Sequence, residues 1–306
     1  MKVEEYKGNF TGDREERLCF QWHGGAFYEF RLPGGRTLIT DPYQYGSKRN
    51  YVTDSSRQAC DVISGCDYVL LTHTHFDHAQ DLPGVVEKYP HCFVVVPDDA
   101  YVSLMMVHGY NSFVSNIQPV GSCDRLEFED IAVEGFRGKH TILSPQDPVL
   151  KDNPEIFASG IPYEKQGRYQ NEDGSFHMLR GLADIEGGMA FRNYKVTLNN
   201  GICLFIWGGE LKKDFRKYCY KNMKPDILFV QLAATNVGGD RLYPNMDEIT
   251  EFIEYVNPRI ALPIHQENFQ WEQLKQMETQ CREKLKKDQK NICYWNPEPS
   301  RWYALC

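Results

Sequence analysis

Residues 69–80 read VLLTHTHFDHAQ, and six consecutive positions within them hold His73, His75, Asp77 and His78. Imidazole and carboxylate groups are common ligands of divalent metals. In an extended segment His73 and His75 point to the same side, so two imidazoles can converge on one ion. Asp77 and His78 then come from the following turn and helix start, aimed at a neighbouring point. Four such groups buried without partners would cost several kcal/mol, and a metal satisfies them. An exposed histidine-rich loop is the bland alternative, and this density of ligand-type residues speaks against it. One ion or two is open at this stage.

The elements that must position these residues are legible around them. DYVLLTH (67–73) and CFVVVPD (92–98) are short apolar runs, as expected for strands buried on both faces. The motif then leaves the carboxyl end of a strand, where open α/β sheets place ligand sites. DLPGVVEKYP between the runs has helical length, and DDAYVSLMMVHGY is a second helix candidate with an acidic first turn. AFYEFRL, PGG and RTLITD read as a hairpin near the start, and DRLEFEDIAVEGF as two strands. Residues 141–188 carry Pro145, Pro148, Pro154, Pro162 and six glycines with little periodicity, which suggests a lid or binding loop. Alternation returns at MAFRNYKVTL and ICLFIWGG, joined through NNG, a hairpin signal. DILFVQL, the helical MDEITEFIEYV, the strand-like RIALPIH and the helical WEQLKQMETQCREKLKK follow.

Composition limits the classes of function. The chain has 306 residues and a formal net charge of −8, which argues against a general nucleic-acid binder. No N-terminal apolar region resembles a secretory signal, and no stretch reaches the length of a membrane helix. The ten cysteines are scattered without a CxxC pair, so reduced thiols in the cytoplasm are expected, not a cysteine-built zinc site. REKLKKDQK reads as a solvated helix face.

THTHFDH resembles the HxHxDH signature of the metallo-β-lactamase superfamily. The resemblance implies an α/β four-layer αβ/βα sandwich with a one- or two-metal hydrolytic site and a loop-rich insertion. It covers the chain as one domain, 1–306: a first half to about 140, the insertion at about 141–188 and a second half from about 189. It also proposes later ligands in order. His140, in FRGKHT, resembles the histidine ending the family's next strand, and His265, in ALPIHQENF, its last histidine. FIWGGE departs from the pattern: Glu210 stands where the family has an aspartate bridging two metals, with Asp240 a weaker substitute. On this mapping His73, His75 and His140 hold a first ion, and three imidazoles with an open position suit catalysis. Asp77, His78 and His265 hold a second, with Glu210 bridging or bound to one. Zinc is the default for such a set, with manganese or iron admitted by its mixed ligands.

The implied activity is hydrolysis of a small-molecule ester, lactone or phosphoester by a metal-activated water, with Asp77 accepting or orienting the water's proton. WHGGAFYEFRLPGGRTLITDPY, NVGG and PIHQENF are similar, more loosely, to the branch that includes ascorbate-6-phosphate lactonase. His23, on the opening loop, is a candidate to line the pocket. Asp41 is a candidate to orient a ligand, or else a turn residue before Pro42. The lid candidate offers Tyr163, Arg168, Tyr169, His177 and Arg180, whose arginines suit an anionic substrate. The competing readings are a thioesterase, a phosphodiesterase or nuclease, and a non-catalytic metal-binding protein. The expected partner is a small molecule, with neither nucleic acid nor membrane, and a homo-oligomer is compatible.

Overall fold

A computed structural model describes residues 2–8, 16–44, 57–73, 76–79, 81–98, 100, 116–138, 191–207, 223–232, 246–266 and 269–306, with the side chains of Phe76 and Asp77 outside the description. Among these residues, eight strands form one sheet in the order β1 (Val3–Glu5), β15 (Trp302–Leu305), β2 (Cys19–Gly24), β3 (Phe27–Arg31), β4 (Thr37–Thr40), β5 (Tyr68–Leu70), β6 (Phe93–Pro97), β7 (Ile117–Val120). Seven form a second: β14 (Cys293–Tyr294), β13 (Ile260–Ile264), β12 (Ile227–Gln231), β11 (Cys203–Trp207), β10 (Arg192–Leu198), β9 (Ile131–Arg137), β8 (Arg125–Glu127). The described helices are α1 (Ala59–Val62), α2 (Phe76–Ala79), α3 (Leu82–Lys88), α4 (Met246–Val256) and α5 (Trp271–Lys287). None of them is long and apolar enough to cross a membrane.

Strand periodicity explains the layering. In β5 Tyr68 and Leu70 face one core and Val69 the opposite one. The inner core lies between the sheets, where Phe229 meets Tyr28 and Phe30 edge-on, with ring centroids 5.0 and 5.6 Å apart. Edge-to-face pairs of this kind add about 0.5–1.5 kcal/mol beyond burial. A second core fills the space between the first sheet and α1–α3, where Val69 and Val94 meet Ala59, Leu82 and Val85. A third lies under α4 and α5, where Leu228 and Val230 meet Phe252 and Leu274. Helix, sheet, sheet and helix layers are the four-layer αβ/βα sandwich.

Both expected hairpins form. The β3–β4 turn places Gly34 and Gly35 at φ of 98° and 97°, where a side chain would be strained. Asn199, Asn200 and Gly201 join β10 to β11. The sheets do not follow the two sequence halves. β8 and β9 belong to the second sheet, and β15 returns to the first, between β1 and β2. His23 lies within β2 and not on an opening loop, at the bulge between Trp22 and Gly24: β15 pairs with β2 as far as Gln21, and β3 on to Gly24. The helix candidate at 98–110 and the 141–188 segment lie almost wholly or wholly outside the described residues.

β4, β5, β6 and β7 run parallel, as do β11, β12, β13 and β14. The carboxyl ends of β4, β5 and β13 therefore deliver Asp41, His73 and His265.

Candidate metal centre

Asp41 is the first residue past β4. Its N–H donates to Leu70 O (2.9 Å), prolonging the ladder with β5, and its φ is +40°. Few residues other than glycine, asparagine and aspartate accept that backbone. The bend turns the carboxylate toward the end of β5, where Thr72 N–H donates to Oδ1 (2.7 Å) and Thr72 Oγ1 to Oδ2 (2.7 Å). Thr72 Oγ1 also lies 2.9 Å from His73 Nδ1.

His78 lies in the last turn of α2, and its Nδ1 approaches Asp41 Oδ2 at 2.9 Å, a close polar contact without the alignment of a hydrogen bond. The His73 and His78 rings are 3.9 Å apart by centroid, and those of His78 and His265 5.0 Å. His265 follows β13 at φ +58°, and its N–H donates to Gly25 O (3.0 Å), which ties the second sheet to the β2–β3 turn. A histidine in the left-handed region costs free energy, and such strain is concentrated at functional sites. None of His73, His78, His265 and Asp41 is more than 6% exposed.

The wall beside His73 is apolar. Phe191 packs 5.0 Å from its ring, and Arg192 N–H donates to Thr72 O (2.9 Å). Gly138 backs Phe191 so closely that an added Cβ would overlap the phenyl ring. The Arg192 guanidinium pairs with Asp98 at the carboxyl end of β6, which joins the two sheets on this side.

Asp81, three residues past His78, is a structural clasp. Its Oδ2 accepts from Gln44 N–H (2.9 Å) and Ala59 N–H (2.8 Å), and burial raises its carboxyl above the usual 3.8 against the opposing pull of those two bonds. A raised folded pKa gives stability that is complete below the ordinary value and lost as pH rises through the folded one. This group therefore makes unfolding easier as pH climbs from about 3.8 toward neutrality. In Asp81→Asn the amide oxygen still accepts both N–H groups, and the expected result is a flatter stability profile over that interval. Thermal melts of the two proteins with the same slope would contradict this.

Among the described residues, no group of three or more His, Cys, Asp or Glu side chains is placed to hold a metal ion. Of the ligands proposed from sequence, His73, His78 and His265 are brought together. His75, His140 and Glu210 lie outside the described residues, as do the Asp77 side chain, Asp240, Arg168, His177 and Arg180. His23 has a partner of its own: Nε2 is 2.9 Å from Glu29 Oε2, while Glu29 Oε1 accepts from Ser64 N–H (2.8 Å) and Ser64 Oγ (2.5 Å). Thr72, Phe191 and Arg192 are additions from the structure. Only Thr72 left a sequence signal, a hydroxyl closing a buried apolar run.

His73 lies against His78 and His78 against His265, all nearly buried. Imidazole nitrogens are the donor chemistry of divalent metals, so these side chains fit an ion as part of a larger ligand set and not as a three-ligand site of their own.

Comparison with known proteins agrees. The sequence profile of the β-lactamase superfamily domain matches residues 19–265. The chain belongs to the metallo-β-lactamase superfamily of hydrolases. It is 22% identical over 244 residues to a UPF0173 metal-dependent hydrolase of Cupriavidus metallidurans, covering 80% of this chain and 71% of that one. The fold is similar to Igni18, a metallo hydrolase of the archaeon Ignicoccus hospitalis, with a TM-score of 0.60 and 10% identity over 94% of this chain and 98% of that one. It is also similar to CmlA, a diiron β-hydroxylase of Streptomyces venezuelae, with a TM-score of 0.55 and 12% identity over 94% of this chain and 54% of that one.

Proposed function

We propose that the chain is a metal-dependent hydrolase of a small ester, lactone or phosphoester. The observation that carries this reading is the buried His73–His78–His265 cluster at the carboxyl ends of β5 and β13, braced by Asp41.

His73, His78 and His265 would each donate to a divalent ion, one shared or two neighbouring, with His75, Asp77, His140 and Glu210 as the sequence candidates to complete one site or two. Bound there, a divalent ion would supply Lewis-acid polarisation of the scissile carbonyl or phosphoryl group and a water acidified toward neutrality. Asp41 restrains two imidazoles, His78 by direct contact and His73 through Thr72. Phe191 excludes water from one side of His73. Asp77, beside His78 in α2, is the candidate to accept the attacking water's proton at a carboxylate oxygen. Arg168, His177 and Arg180 are the candidates to meet an anionic substrate.

Zinc is the first choice of metal because the described donors are all imidazole. Iron or manganese is the second, and the diiron neighbour CmlA supports keeping iron in the comparison. The loose similarity to the ascorbate-6-phosphate lactonase branch puts lactones first among substrates, and the net charge of −8 disfavours nucleic acid. Reduced cysteines and a cytoplasmic setting complete the reading.

The test is metal-stripped protein reconstituted separately with zinc, manganese and iron, assayed on lactones, phosphodiesters and thioesters. Metal-dependent turnover of a lactone, carboxylic ester or phosphoester is expected. Turnover confined to thioesters would move the protein to the thioesterase reading. Metal retention without turnover of any class would make it a binding protein.

A further inference from the structure

We propose that Thr72 is a positioning residue that fixes His73 as its Nδ1–H tautomer, leaving Nε2 as the atom that faces the metal; this rests on the metal reading above. The inference comes from counting protons. A threonine hydroxyl has one proton to give and lone pairs to accept with. Thr72 Oγ1 sits between two groups, 2.7 Å from Asp41 Oδ2 and 2.9 Å from His73 Nδ1. A carboxylate only accepts, so the hydroxyl proton goes to Asp41. The oxygen's remaining capacity faces His73 Nδ1, which must then be the donor.

The hydroxyl has little freedom to choose otherwise. Thr72 is 1% exposed, its N–H is held by Asp41 Oδ1 at 2.7 Å, and its carbonyl accepts from Arg192 N–H at 2.9 Å. Both backbone groups are anchored, one on each sheet, and the side chain is packed against the ring it orients. One carboxylate thereby governs two imidazoles. Outer partners of this type fix the tautomer and orientation of a ligating histidine.

The experiment uses the full-length protein labelled with 15N-histidine and loaded with zinc. Long-range 1H–15N correlations, assigned by comparison with His73→Gln, report which ring nitrogen of His73 carries the proton. The expected result is a proton on Nδ1, kept in Thr72→Ser and lost or mixed in Thr72→Val. Competition with a chelator should show zinc bound about 10–100-fold more weakly by Thr72→Val, and close to wild type by Thr72→Ser. A proton on Nε2 of His73 in the wild type overturns the proposal, and so does a Thr72→Val protein with unchanged tautomer and affinity. Should Thr72→Val fail to fold, the wild-type and Thr72→Ser spectra decide alone. A wild-type protein that shows the Nδ1 proton but binds no metal would overturn the hydrolase reading and leave the Thr72 assignment standing.

Discussion

Replacing His73 and His78 together by alanine should release the bound metal and lower hydrolysis by about 10³-fold or more. That factor is about 4 kcal/mol of transition-state stabilisation, the scale expected when a Lewis acid is lost from a hydrolytic site. The two rings are 3.9 Å apart and nearly buried, so no other described side chain replaces both. Metal content and turnover should fall together while the far-ultraviolet circular dichroism stays native, because His73 lies beyond the end of β5 and His78 within a helix of only four residues. Full metal content in the folded double variant would show that the ion sits elsewhere.

Asp41→Ala should be the most damaging single change at the site. The carboxylate takes two hydrogen bonds from Thr72 and touches His78, and it is 1% exposed. Alanine leaves a buried N–H and a buried hydroxyl without acceptors, at about 1–3 kcal/mol each. It also removes the carboxylate whose bonds to Thr72 hold the backbone at φ +40°. The expected loss is about 3–5 kcal/mol in urea denaturation, with metal affinity reduced about 10–100-fold. Asp41→Asn separates these effects. Asparagine tolerates the left-handed backbone and keeps one oxygen for Thr72 N–H, so stability should largely return. Metal affinity should not, since the charge facing His78 is gone. Equal recovery of both would mean that Asp41 is only a turn residue before Pro42.

Much of this arrangement was legible in the chain because it is local. HxHxDH packs its ligands into a few residues, and the continuous apolar runs of β5, β12 and β13 announce strands buried on both faces. Hairpins betrayed themselves through PGG and NNG, whose glycines supply the backbone that their turns require. What stayed hidden depends on pairing over long distances. Nothing near Cys293 or Trp302 says that β15 will lie beside β2, because strand edges are chosen by the whole sheet and not by local propensity. Thr72 and Asp41 are thirty-one positions apart, and their two bonds exist only once β4 and β5 are parallel neighbours. Phe191 looks like any core aromatic until Gly138 and His73 are found on either side of it. The strand position of His23 is hidden for the same reason: a histidine before two glycines reads as loop unless both flanking strands are known.

The central claim is that His73, His78 and His265 are ligands of one divalent ion or of two neighbouring ones, and anomalous diffraction from zinc-loaded crystals tests it most directly. The account predicts an anomalous peak about 2.0–2.1 Å from Nε2 of His73, within the space bounded by His78 and His265. A second peak about 3.5–4 Å away would mark a paired site. No peak within bonding distance of any of the three histidines, in a crystal that holds zinc elsewhere, would contradict the account.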